Sequence, residues 1–279
     1  MLIAWNGETM PALPLERELG VIAQAGYGGL ELFIPKLSAY LQKHTIDELV
    51  AALTQHRLVS LTMNGIENIN FRTTEEFDQV RNDCRWLAEI CTKIGCPTIV
   101  AVPSPAPAGA SWEQIKKETV SALQDLADVA ASYGAKLAFE FLAPANCSVR
   151  TLAQGWEIVQ ATGRQNVGLV FDTYHFHVGG SSWQSLEEVD TARVLIVHIN
   201  DVQDLPLAQL TDGHRLLPGE GILPLNRMIS RLQARGYNGA YSLEVMRPAY
   251  REREPLEYAQ AGLEKTQSVV QKASTASTA

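Results

Sequence analysis

Eight short apolar runs recur along the chain, and each is followed by a stretch whose apolar residues fall at helical spacing. The runs cover residues 2–5, 29–34, 58–64, 97–102, 136–141, 167–171, 194–200 and 241–245. Runs of this length, rich in β-branched residues and bounded by Gly or Pro, read as buried strands. The intervening helices carry start and stop signals. Thr45 precedes residues 46–56 with Glu48 three positions on, a capping box. Ser111 precedes a helix reaching to about residue 133, and Gly26, Gly95, Gly163 and Gly236 stand where helices stop. Strict alternation of strand and helix argues a parallel sheet, because each parallel connection needs a crossover. Eight such units in 279 residues fit a closed α/β architecture, the (β/α)8 TIM barrel. An open doubly wound sheet competes, and no G-x-G-x-x-G after the first strand favours it. A single barrel domain is expected over residues 1–272, with the polar residues 273–279, ASTASTA, as a disordered tail.

Charge and cysteine usage narrow the function classes. Lys and Arg number 23 against 31 Asp and Glu, a formal net charge of −8. No basic face of the kind that displaces phosphate counterions is expected, so no nucleic-acid partner is expected either. No run of about 20 apolar residues exists to span a membrane. The opening MLIAWNGETM has neither the basic start nor the apolar stretch of a secretory signal. Cys84, Cys91, Cys96 and Cys147 form no C-x-x-C pair and read as free buried thiols in a reducing, cytoplasmic compartment.

Four of the apolar runs end alike. Glu140, Asp172, His198 and Glu244 stand at the ends of the fifth to eighth strands, separated by 32, 26 and 46 residues. In a barrel those ends form the active face. One acid there reads as an isolated ion pair. Four candidate ligands on four consecutive strands read as a site for one divalent metal, since buried charge is costly unless paired or coordinated. Three carboxylates and one imidazole favour Mn2+, with Zn2+, Co2+ or Mg2+ as alternatives. His175 is a candidate to hydrogen-bond substrate, and His177 a packed residue or one that supports the ligands from behind. Arg215, in the long seventh loop, either reaches a substrate oxygen or pins the loop. Glu31 either orients a substrate group or joins an internal ion pair. Trp5, Phe33 and Trp112 line a pocket wall or simply pack.

The motifs LAFEF at Glu140, NVGLVFDTYHFH at Asp172, VHINDV at His198, RLLPGEG at Arg215 and SLEVMRPAY at Glu244 resemble those of the sugar-phosphate isomerase/epimerase family. That family has a xylose-isomerase-like barrel, and the resemblance, from first strand to last helix, is strongest to its inosose isomerases. It implies that Glu140, Asp172, His198 and Glu244 are metal ligands, that Glu140 and Glu244 are also catalytic proton carriers, and that His175 and Arg215 hold substrate hydroxyls. It implies isomerisation of inosose (2-keto-myo-inositol) in inositol catabolism: a carbonyl moves between adjacent carbons through an enediolate that the metal stabilises. A ketose 3-epimerase, a hydroxypyruvate-type isomerase and an inosose dehydratase remain open on the same site. A barrel that only binds sugar and an endonuclease of the apurinic-site type are the readings from other classes, and the acidic charge opposes the second. The expected partner is a small neutral polyhydroxy ketone. Phosphate esters are disfavoured, because the seventh loop sets Asp201, Asp204, Asp212 and Glu220 against Arg215 alone. Homo-oligomerisation is left open.

Overall fold

The computed structural model describes residues 1–276. Eight parallel strands close into a barrel in the order β1, β10, β7, β6, β5, β4, β3, β2. They are β1 (Ile3–Asn6), β2 (Gly29–Phe33), β3 (Val59–Ile66), β4 (Thr98–Ala101), β5 (Lys136–Glu140), β6 (Val167–Asp172), β7 (Val194–Ile199) and β10 (Tyr241–Leu243). The expected (β/α)8 architecture is therefore the observed one. Strand β6 is buried along its whole length, as a strand covered on both faces should be.

Helices begin and end where the sequence signals stand. Thr45, Thr73, Ser111 and Thr151 close capping boxes on α3 (Ile46–His56), α4 (Thr74–Ile94), α5 (Trp112–Ala131) and α6 (Leu152–Thr162). The left-handed Gly26 ends α1 (Leu15–Ala25). Two helices follow their strands more directly than the sequence pattern implies. Helix α2 (Ile34–Leu41) follows β2 without a loop, its Pro35 in the first turn. Read linearly, that proline stops a strand; at the start of a helix it costs nothing, because its missing N–H has no partner there anyway. Helix α7 (Thr173–Val178) likewise follows β6 at once, in a β-branched and aromatic stretch. Helices α8 (Trp183–Glu188), α9 (Leu225–Ala234) and α10 (Pro248–Arg251) precede the last helix, α11 (Pro255–Ala276). That helix runs past Lys272 into the expected tail, of which residues 277–279 lie outside the described residues.

By internal packing the chain divides into two compact units. Among the described residues, one comprises 1–61, 172–174 and 196–276, the other 62–171 and 175–195. In the first, Trp5 is fully buried and meets Tyr27 and Tyr258 edge-on at 5.5 and 5.8 Å. Its indole N–H donates to Glu18 Oε1 at 2.9 Å, and Lys36 Nζ donates to the same oxygen at 2.6 Å. Trp5 is thus a packing residue that anchors α1 and α2 to β1. In the second unit Trp112 Nε1 donates to Glu157 at 3.2 Å, so it too is engaged in packing.

The seventh loop contains a small antiparallel hairpin, β8 (Asp201–Val202) with β9 (Arg215–Leu216). The turn that follows β9 is organised by Asp201, which is 1% exposed. Asp201 Oδ1 accepts from the N–H groups of Val202 and Leu223 at 2.9 and 2.8 Å, and Oδ2 from Gly219 N–H at 3.0 Å. Any side chain at Gly221 would run into Val202 O and Asp201 Oδ1. The PGEG sequence therefore closes around its own carboxylate.

Candidate metal centre

Glu140 is the last residue of β5 and Asp172 the last of β6, His198 lies near the end of β7, and Glu244 follows β10 directly. All four are buried. Each offers one ligand atom, and the four atoms lie within 4.8 Å of one another. Three carboxylates at that separation repel strongly in a poorly solvated setting, so the set fits a divalent cation and is costly without positive charge. Those four are the residues that the strand-end pattern singles out.

The imidazole of His198 is held as a metal-ligating histidine usually is. Its Nε2 lies 3.1 Å from Glu31 and its Nδ1 3.3 Å from Glu244 Oε2 and 3.9 Å from Asp172 Oδ2. A carboxylate on the remote nitrogen fixes the ring and leaves the other nitrogen as the donor toward a cation. Glu31, of the two roles considered from sequence, is in the internal pair: it is fully buried against His198. Asn6 completes this side. Its Nδ2 donates to Glu31 Oε1 at 3.1 Å and to Glu244 Oε1 at 2.8 Å. Strand register accounts for this, since β1 lies between β2 and β10 with Asn6 paired to Glu31 and Trp5 to Leu243.

Asp172 is fixed by two donors on one oxygen. Its Oδ2 accepts from Asn200 Nδ2 at 3.0 Å and from Arg215 Nη1 at 2.8 Å. Thr173 Oγ1 donates to Asn200 Oδ1 at 2.9 Å and so orients that amide. Arg215 is completely buried. Its Nη1 also meets Glu244 Oε2 at 3.0 Å, its Nη2 meets Asp212 at 2.8 Å, and its guanidinium stacks on the Tyr174 ring at 4.5 Å. Burial alone would lower its pKa; Asp172, Asp212 and Glu244 outweigh that and hold it well above its ordinary value. Arg215 thus turns toward Asp172 and Glu244 and also, through Asp212, pins the seventh loop, which is one of the two roles considered from sequence.

His175 is buried in α7, and its Nδ1 accepts from Ala143 N–H at 3.1 Å. In the neutral ring that leaves the proton on Nε2, which is then a donor. His177 is half-buried. The two histidines sit two positions apart on a helix, so they face different directions. Asn6, Asn200 and Thr173 were not picked out from sequence. Asn6 stands at the end of the first apolar run, the same kind of position as the ligands, and that was the available signal.

Residues 19–269 match the family described as xylose isomerase-like TIM barrel. The chain is 34% identical to an inosose isomerase of Bacillus velezensis over 92% of each chain. It is also 34% identical to an inosose isomerase of Bacillus subtilis, over 92% of this chain and 93% of that one. Among solved structures, the IolI protein with a bound zinc atom superposes with a TM-score of 0.94 at 34% identity, covering 98% of this chain and 99% of the other.

Proposed function

The chain belongs to the xylose isomerase-like TIM barrel family, and from that premise we propose that it is a metal-dependent isomerase of inosose, a neutral polyhydroxy ketone. The observation that carries this reading is the convergence of Glu140, Asp172, His198 and Glu244 within 4.8 Å, in a chain 34% identical to inosose isomerases over nearly its whole length. These four residues would hold the ion. Three carboxylates with one imidazole suit manganese, while zinc is the ion bound in the related IolI protein. When bound, a divalent cation supplies positive charge beside a ketone and the neighbouring hydroxyl, which makes the intervening C–H acidic enough to ionise.

The remaining work falls to the protein. A glutamate, Glu140 or Glu244, takes the proton from the carbinol carbon, and the resulting acid returns it to the former carbonyl carbon. The hydroxyl proton passes to the old ketone oxygen, so atoms and charge balance and the carbonyl has moved by one carbon. Positioned carboxylates contribute about 10²–10⁴-fold in such transfers. His175, donating from Nε2, holds a substrate oxygen. Arg215, Asn200 and Glu31 keep the ligand side chains in place.

Incubation of the metal-loaded protein with inososes and ketoses in D2O, followed by NMR, tests the reading. The expected product is an inosose with its ketone moved to the adjacent carbon and exchange confined to those two carbons. A UV-absorbing dehydrated product, or an inverted carbinol with the ketone unmoved, would overturn it. Elemental analysis is expected to find one divalent ion per chain, lost in Asp172→Ala.

A further inference from the structure

Asn6 ends β1, and its buried side chain is fixed at one end by accepting the Glu8 N–H on Oδ1 at 2.9 Å. At the other end a single amide nitrogen serves two carboxylates on the strands either side, Glu244 at 2.8 Å and Glu31 at 3.1 Å. Glu31 in turn holds the His198 ring at 3.1 Å. Two of the four candidate ligands, Glu244 and His198, are thus referenced to one group, directly in the first case and through Glu31 in the second. We propose that Asn6 is a positioning residue for the metal centre: by holding Glu244 Oε1 it leaves Oε2 turned toward His198 Nδ1, and by holding Glu31 it sets that imidazole. The inference rests on the metal site proposed above.

The residue type follows from the task. The group at this point must donate twice, to two acceptors, from a short side chain. A carboxamide does so with its two hydrogens. A carboxylate of the same shape would present oxygen to oxygen, a hydroxyl has only one hydrogen, and alanine has none. Groups that orient ligands from behind typically change metal affinity about 10–100-fold when removed.

Asn6→Ala and Asn6→Ser are the variants, each checked for folding by circular dichroism. Zinc affinity is measured by competition with a chromophoric chelator, and ligand geometry by the visible spectrum of the cobalt(II)-substituted protein. We expect the zinc Kd to rise about 10–100-fold in Asn6→Ala and less in Asn6→Ser, with altered cobalt bands in both. Glu31→Gln is expected to cost less in the Asn6→Ala background than in the unchanged protein, because part of the effect of Asn6 runs through Glu31. Folded variants with zinc affinity within about threefold of the parent and unchanged cobalt bands would overturn the proposal. Failure of both variants to fold would do so as well, by assigning Asn6 to the barrel's structure. An unchanged protein that binds no zinc would refute the metal site itself and this inference with it.

Discussion

Arg215 is completely buried, within 3.0 Å of Asp172 and Glu244. Removing one partner of a buried charge cluster leaves the others uncompensated, at about 3–5 kcal/mol. Arg215→Met is therefore expected to lose about that much in urea unfolding of the metal-free protein, and less with saturating zinc, which restores positive charge to the same carboxylates. Arg215→Lys should recover little, because a single ammonium cannot reproduce the fork that reaches Asp172, Glu244 and Asp212 together. An equal loss with and without zinc would show that the guanidinium does not share its carboxylates with an ion. At this scale the four residues that converge as candidate ligands were legible in the sequence, because an acid or imidazole closing an apolar run stands out. Their supports were not. Asn6 and Glu244 are 238 positions apart, and only the pairing of the first strand with the last brings them together.

Helices α1 and α2 are joined by the buried Glu18–Lys36 pair at 2.6 Å, with Trp5 donating to the same oxygen. Burial raises the Glu18 pKa above its ordinary 4.5 against the opposing pull of Lys36; burial lowers that of Lys36 against the pull of Glu18. Lys36→Met strands the carboxylate and is expected to cost about 3–5 kcal/mol, whereas Glu18→Gln with Lys36→Met, which keeps an acceptor for Trp5, should be close to neutral. The sign of the pH dependence follows from the raised acid. Below the ordinary value Glu18 is protonated in both the folded and unfolded states, and the cost appears as pH climbs through the higher folded value. The deficit of Lys36→Met should therefore be small at pH 4 and complete at neutrality, as read by urea unfolding at each pH. A deficit that is constant with pH would mean that the lost contact is packing by the lysine stem. The sequence revealed the α1 helix but not this clamp, since Lys36 lies in α2, the helix that Pro35 disguised as the end of a strand.

At the scale of the whole molecule, the alternation of strand and helix was enough to specify a closed barrel with its candidate ligands on consecutive strands, while the loops around them were not readable. The seventh loop is the clearest case. The sequence showed only that this loop is acidic; the structure turns the backbone N–H groups of Gly219 and Leu223 onto Asp201. Barrels often bind phosphate esters with backbone N–H groups of this region. Sugar phosphates are expected to be at least about tenfold poorer than the neutral ketone in kcat/KM, about 1.4 kcal/mol, and comparable efficiency on an ester and its parent would contradict this. A phosphate arriving at the turn would meet a rival carried by β8 itself, whose local concentration does not fall when the cell's metabolite pool does. The turn behaves as a receptor already occupied by its own chain, and poor use of charged esters is the outcome expected of it before any substrate ring is recognised.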